Sequence, residues 1–145
     1  MLKRLNLGCG SKWKEQYPDY EGLDIIDYGQ EYVGDVKAIL PTLTGHEYDE
    51  IMANHFLEHF DQDELQDMFS LINKALRDGG IFKFVVPHMD KERAWVLPHK
   101  TYWNETVVKW LEEEDARAVY GFGSWEVSEV VTNSRKDIHI KLKKK

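Results

Sequence analysis

Short apolar stretches broken by glycine-containing turns set the rhythm of the first ninety residues. Leu5-Asn6-Leu7 leads straight into Gly8-Cys9-Gly10, and further strand-like runs follow over 21–26, 48–53 and 80–86, with a weaker one over 31–34. Between them, Leu65, Met68, Phe69, Ile72 and Leu76 recur at helical spacing, which predicts a helix over 61–76. Asp61 is placed to cap its start and Gly79-Gly80 to end it. Val107, Val108 and Leu111 supply the apolar face of a second helix over 104–111. Further on the period shortens to two: 124–132 alternates, Asn133-Ser134 reads as a turn, and Ile138-His139-Ile140-Lys141-Leu142 alternates again. That is a hairpin, placed most simply at the edge of a sheet. The whole predicts an α/β fold, a mostly parallel sheet flanked by helices with a C-terminal antiparallel hairpin, in one domain over residues 1–145.

The turn after the first strand narrows the ligand. Gly8 and Gly10 let the backbone bend sharply and leave bare peptide at the carboxyl end of a strand, where open α/β sheets bind their ligands. Asp24 follows sixteen residues after Gly8, in the second strand-like run, near the spacing at which this fold class sets an acid on a ribose. A dinucleotide fingerprint needs a third glycine where Trp13 stands, and no Gly-Lys-Ser/Thr phosphate loop occurs. What remains is a ribose and an adenine with no phosphate to hold, a description that S-adenosylmethionine meets.

Other segments join this one in a fixed order. They are Gly34-Asp35-Val36, then Tyr48-Asp49-Glu50-Ile51-Met52-Ala53-Asn54-His55-Phe56-Leu57-Glu58-His59, then Leu76-Arg77-Asp78-Gly79-Gly80 with the strand over 81–87, and finally Pro98-His99-Lys100-Thr101-Tyr102-Trp103. Together they resemble class I S-adenosylmethionine-dependent methyltransferases, most nearly small bacterial and phage members, over residues 4–110. The resemblance implies a Rossmann-like methyltransferase fold, S-adenosylmethionine as methyl donor and S-adenosylhomocysteine as product. It implies cofactor contacts from Gly8, Cys9, Gly10, Asp24, Ile25, Asp35, Val36, Asn54 and His55. In that reading Asp24 binds the ribose hydroxyls, with Asp27 in reserve if the register slips. Ile25 lines the adenine, Asp35 takes its amino group, and Asn54 and His55 stand at the methionine end. Glu58 and His59 orient the loop and cap the next helix.

Two departures from that family shape the expectation. Asp78 replaces its usual proline, and so few residues separate Gly10 from the second strand that the first helix must be very short. Almost nothing precedes the first strand to close over the cofactor. The site is expected to be open and shallow, covered by a substrate, a partner or a second copy of the chain.

Methyl transfer from a sulfonium is an in-line displacement, served mainly by holding donor and acceptor in near-attack geometry. A base is needed only when the acceptor loses a proton. His55 and His88, one after each of two adjacent strands, are the candidates, with His99 able to assist. Cys9 reads as a packing residue, since no activating base stands beside it. Trp95, Tyr102, Trp103 and Trp110 supply either an aromatic wall for the acceptor or the filling of a core short of helices. The Asn-Pro-Pro-Tyr motif of amino-directed DNA methyltransferases is missing, because His-Phe-Leu follows Asn54, and there is no Pro-Cys pair. Two other readings stay open. One is a reduced methyltransferase fold that binds a cofactor or partner without catalysis. The other is a zinc hydrolase using His55, Glu58 and His59, whose H-x-x-E-H spacing would set two imidazoles on one face of a helix; the favoured reading has no metal.

Net charge of −7 argues mildly against a non-specific nucleic-acid binder. Glu112-Glu113-Glu114-Asp115 and the basic stretch from Arg135 to Lys145 read as solvated surface. No run approaches the ~20 apolar residues of a membrane span. Met1-Leu2-Lys3-Arg4 leads directly into the first strand with no leader, and a single cysteine cannot form an internal disulfide. A cytoplasmic protein is the expectation.

Overall fold

The computed structural model describes residues 2–145; Met1, one of the residues on which the expectation of no leader rests, lies outside them. Seven strands are formed among the described residues: β1 (Arg4–Leu7), β2 (Glu21–Asp24), β3 (Tyr32–Val33), β4 (Tyr48–Asn54), β5 (Leu76–Pro87), β6 (Trp125–Thr132) and β7 (Asp137–Lys144). They make one sheet in the order β3-β2-β1-β4-β5-β7-β6. The first five pair in parallel, while β7 runs antiparallel to both β5 and β6. The sheet is therefore mostly parallel and ends in the expected hairpin. Strand order reverses at β1, flanked by β2 on one side and β4 on the other. That reversal opens a crevice beyond the carboxyl ends of β1 and β4.

Six chain segments supply the helices and the turn that matter here: α1 (Trp13–Gln16), α2 (Val36–Ile39), α3 (Gln62–Ala75), α4 (Glu105–Trp110), α5 (Glu114–Ala118) and a 3-10 turn at Leu57–His59. α1 is as short as the sequence requires. α3 starts in a capping box: the Asp61 carboxylate accepts from the Glu64 N–H at 2.9 Å, and the Glu64 carboxylate accepts from the Asp61 N–H at 3.1 Å. Its end is not set by Gly79-Gly80. Leu76 is already extended and pairs with Tyr48, and a register shift before Glu50 absorbs the residues between, with Gly79 at φ +75°. The extended backbone wins because pairing with β4 begins as soon as the helix stops.

The core lies on one side of the sheet. Leu5 and Leu7 of β1, Ile51 and Ala53 of β4, Phe82, Phe84 and Val86 of β5, and Ile138, Ile140 and Leu142 of β7 form one buried cluster with Met68, Phe69 and Ile72 of α3 and Val108 of α4. Alternation sends Arg4, Glu50, Lys83, His139 and Lys141 to the opposite face. There the cover is the stretch after α1: Tyr20 hydroxyl binds the Glu50 carboxylate, and Arg4 and Lys83 lie over the Tyr20 ring. The acidic run proves partly structural. Glu114 and Asp115 occupy the first turn of α5, where acids suit the helix dipole, and Glu112 accepts from the Val127 N–H at 2.7 Å. No helix among the described residues is long and apolar enough to cross a membrane.

Candidate active site

At the crevice, the turn after β1 and the acid at the end of β2 are built as one piece. Gly8 and Gly10 take φ of +64° and +74°, the left-handed region where a side chain is strained. The Gly8 and Cys9 N–H groups donate to the Leu23 carbonyl at 2.8 and 3.2 Å. Asp24 accepts from the Gly10 N–H at 3.0 Å with one carboxylate oxygen and from the Ile26 N–H at 3.1 Å with the other. Each oxygen keeps a second acceptor position, so a pair of hydroxyls can still be bound. Cys9 packs against Gly22, and burial, reinforced by the Asp24 charge, pushes its thiol up to about 11. It is a protonated packing residue at neutral pH, with its backbone forming the turn.

Asp24, Ile25, Asp35 and Val36 line one cavity of about 210 Å³, together with Phe56 and Phe60. Sequence reasoning missed both phenylalanines as pocket residues. They sit on the two flanks of the 3-10 turn after β4, ring centroids 4.9 Å apart. Phe56 lies directly against Gly8: a Cβ there would stand 2.3 Å from its ring. Asp35 caps α2, accepting from the Lys37 N–H at 2.9 Å, so only the rest of its carboxylate is left for a ligand. Asp27 is a turn former that accepts from the Gly29 N–H at 2.9 Å. Gln30, also missed, is buried and braces the loop that carries Asp24 and Ile25. Its amide donates to Ile26 and Tyr32 carbonyls at 2.9 and 3.1 Å and accepts from the Tyr28 N–H at 2.8 Å.

The ends of β4 and β5 bring up the other predicted residues. Asn54 donates to the Tyr17 hydroxyl at 3.1 Å. His55 follows at φ +50°, a conformation that non-glycine residues rarely take, held by its N–H to the Val85 carbonyl at 2.8 Å. Its half-exposed ring lies 3.7 Å from a Glu58 carboxylate oxygen and 4.0 Å from Asp137. Glu58 holds the imidazole above its ordinary range, against the burial that would lower it.

The structure corrects two expectations here. His88 is not a free base: Nδ1 accepts from the Asp90 N–H at 3.0 Å, which leaves Nε2 to donate to Glu105 at 2.9 Å. Both nitrogens are used, and the residue braces α4. The H-x-x-E-H helix does not form either. His55 is left-handed and residues 57–59 make a single 3-10 turn, so His55 and His59 do not share a helix face. Of the four aromatic residues, Trp103 and Trp110 pack into or against the core, while Trp95 and Tyr102 stack at the surface with centroids 4.1 Å apart.

No protein-family model matches the sequence, and no curated protein does. Solved structures match it by shape. A SAM-dependent methyltransferase from Archaeoglobus fulgidus aligns with a TM-score of 0.71 at 17% identity, over 99% of this chain and 86% of that one. The N-methyltransferase NodS from Bradyrhizobium japonicum WM9, in complex with S-adenosyl-L-homocysteine, aligns with a TM-score of 0.66 at 15% identity, over 99% and 78%. An S-adenosylmethionine-dependent methyltransferase from Mesorhizobium loti gives 0.65 at 14% identity, over 99% and 91%.

Proposed function

We propose that this chain, whose fold is that of class I S-adenosylmethionine-dependent methyltransferases, binds S-adenosylmethionine and passes its methyl group to an acceptor that enters past His55. The observation that carries this reading is the locked unit of Gly8, Gly10 and Asp24 at the point where strand order reverses. The residues fit the group: the bare Gly10 peptide faces open space that a Cβ would enter, and Asp24 keeps acceptor positions for two ribose hydroxyls. The cavity beside Ile25 and Phe56 takes the adenine. The bound group supplies an electrophilic methyl on a sulfonium. Asn54 and His55 border the methionine end, and His55 accepts a proton where the acceptor must lose one. Acceleration comes mainly from positioning. With one buried cysteine and no need of an oxidising compartment, we place the protein in the cytoplasm.

Calorimetric titration with S-adenosylmethionine and S-adenosylhomocysteine tests the reading. Saturable one-to-one binding is expected, weakened roughly 30-fold in Asp24→Ala, as loss of charge-assisted hydrogen bonds of about 2 kcal/mol requires. No heat at millimolar ligand, in protein shown to be folded, overturns it. A second reading, binding without turnover, is favoured by the four-residue α1, which leaves little to close over a bound cofactor and exclude water. Binding without methyl transfer to any acceptor tried, including a cell extract, selects it.

A further inference from the structure

The Glu58 carboxylate is buried without being satisfied. Its side chain is 1% exposed, and Oε1 has no hydrogen-bond partner among the described residues. The other oxygen has only the loose approach of His55 at 3.7 Å. A buried carboxylate left ionised and unpaired is strongly unfavourable, and a cation brought to it relieves that cost.

His59 and His99 stand beside it. One ligand atom from each of Glu58, His59 and His99 lies within 4.8 Å of the other two, and the imidazoles meet edge to face with centroids 4.8 Å apart. Each ring is already oriented through Nδ1: His59 faces the Phe56 carbonyl at 3.1 Å, and His99 the Ala94 carbonyl at 3.0 Å. A carbonyl only accepts, so each Nδ1 carries the proton and each Nε2 keeps its lone pair. Metal-binding histidines are held by their second nitrogen in this way. The juxtaposition is also clamped by backbone. Lys100 and Thr101 donate to the Glu58 carbonyl at 2.7 and 3.3 Å, tying the loop that carries His99 to the turn that carries Glu58 and His59.

We propose that Glu58, His59 and His99 bind one divalent transition metal ion, with Zn²⁺ as the occupant their donors suit best. Two imidazoles and a carboxylate form a three-ligand zinc set with a fourth position left for water or substrate. Mg²⁺ and Ca²⁺, which take oxygen donors, are disfavoured. Bonds of ~2.1 Å in a tetrahedron set donor atoms roughly 3.4 Å apart, so loading draws the three groups together. A cavity of about 240 Å³, bordered by His55, Lys91 and Asp137, gives the ion its entry and the fourth position its room. His55 stays outside the set. The site does not depend on the methyltransferase reading.

The test uses the full chain, stripped with chelator and titrated with Co²⁺ and Zn²⁺ in the absence of S-adenosylmethionine. One equivalent of Co²⁺ is expected to give the intense visible bands of four- or five-coordinate cobalt, displaced by one equivalent of Zn²⁺. His99→Asn, in a loop, and His59→Asn are each expected to weaken uptake at least ~100-fold, the upper range for losing an outer-shell partner alone. His55→Asn retains the bands. Zn²⁺ raises the unfolding temperature of the wild type and not of His99→Asn, with circular dichroism confirming that the variant is folded. The proposal is overturned if folded wild-type protein takes up no stoichiometric metal, if uptake is unchanged in both His59→Asn and His99→Asn, or if His55→Asn abolishes it.

Discussion

Gly8 shows at a single position how the glycine turn and the ring above it depend on each other. Its φ of +64° and the 2.3 Å that would separate an added Cβ from the Phe56 ring are two separate obstacles to a side chain. Gly8→Ala therefore meets a left-handed penalty of about 1–2 kcal/mol and an overpacking penalty of about 1–3 kcal/mol. Chemical unfolding should show a loss of roughly 2–5 kcal/mol. Adding Phe56→Ala to that variant relieves the contact but not the backbone. The double-mutant cycle should then show a favourable coupling, and additive losses would mean that the ring is not what confines Gly8. Asp24 and the glycines were readable from spacing along the chain. Phe56 and Gln30 were not, since one reaches Gly8 across the crevice and the other works through backbone carbonyls that carry no sequence signature. His99 was readable only as a loop histidine, because its neighbour His59 comes from forty residues earlier.

Among the elements, α4 is anchored electrostatically to two strands. Glu105 receives the Thr132 hydroxyl of β6 at 2.7 Å and His88, just after β5, at 2.9 Å. The Thr132 hydrogen bond first, then its own backbone N–H and His88, hold its carboxyl at about 2, below the ordinary 4.5. A depressed folded pKa gives stability that is fully present above the unfolded value and is lost as pH falls from about 4.5 towards 2. Glu105→Gln should thus be less stable than wild type at neutral pH, by under ~1 kcal/mol for so exposed a group. That gap should close across the same acid window, and a gap that stays constant down to its lower end would show that this anchor is not electrostatic. Elements with several periods of pattern, such as α3, β4 and β7, were legible in the sequence. α2 and α5 are four and five residues long, too short to display a helical repeat, and they exist because Asp35 caps one and buried Ala116 seats the other.

Across the whole molecule, a single aromatic cluster joins α3 to the sheet. Phe69 sits within 5.6–6.3 Å, centroid to centroid, of Phe82, Phe84, Phe122 and Trp125. Phe69→Ala should lower stability by about 3–5 kcal/mol, read from denaturant midpoints at unchanged slope. Such a loss is a large part of the total for a chain of this size. Loss of under ~1 kcal/mol would mean that the cluster repacks around the gap.

The placement of β7 inside the sheet, between β5 and β6, sets an order in time. β6 is made first by the ribosome but has no partner until residues 137–144 have followed it out. Until then β5 presents an unpaired edge carrying Phe82, Phe84 and Val86, the kind of edge that recruits other chains. A sheet whose inner strand follows the outer one in the chain cannot grow outward strand by strand as it is synthesised. Pairing of β7 completes both neighbouring ladders together, and before it the exposed edge of β5 is open to pairing with other chains.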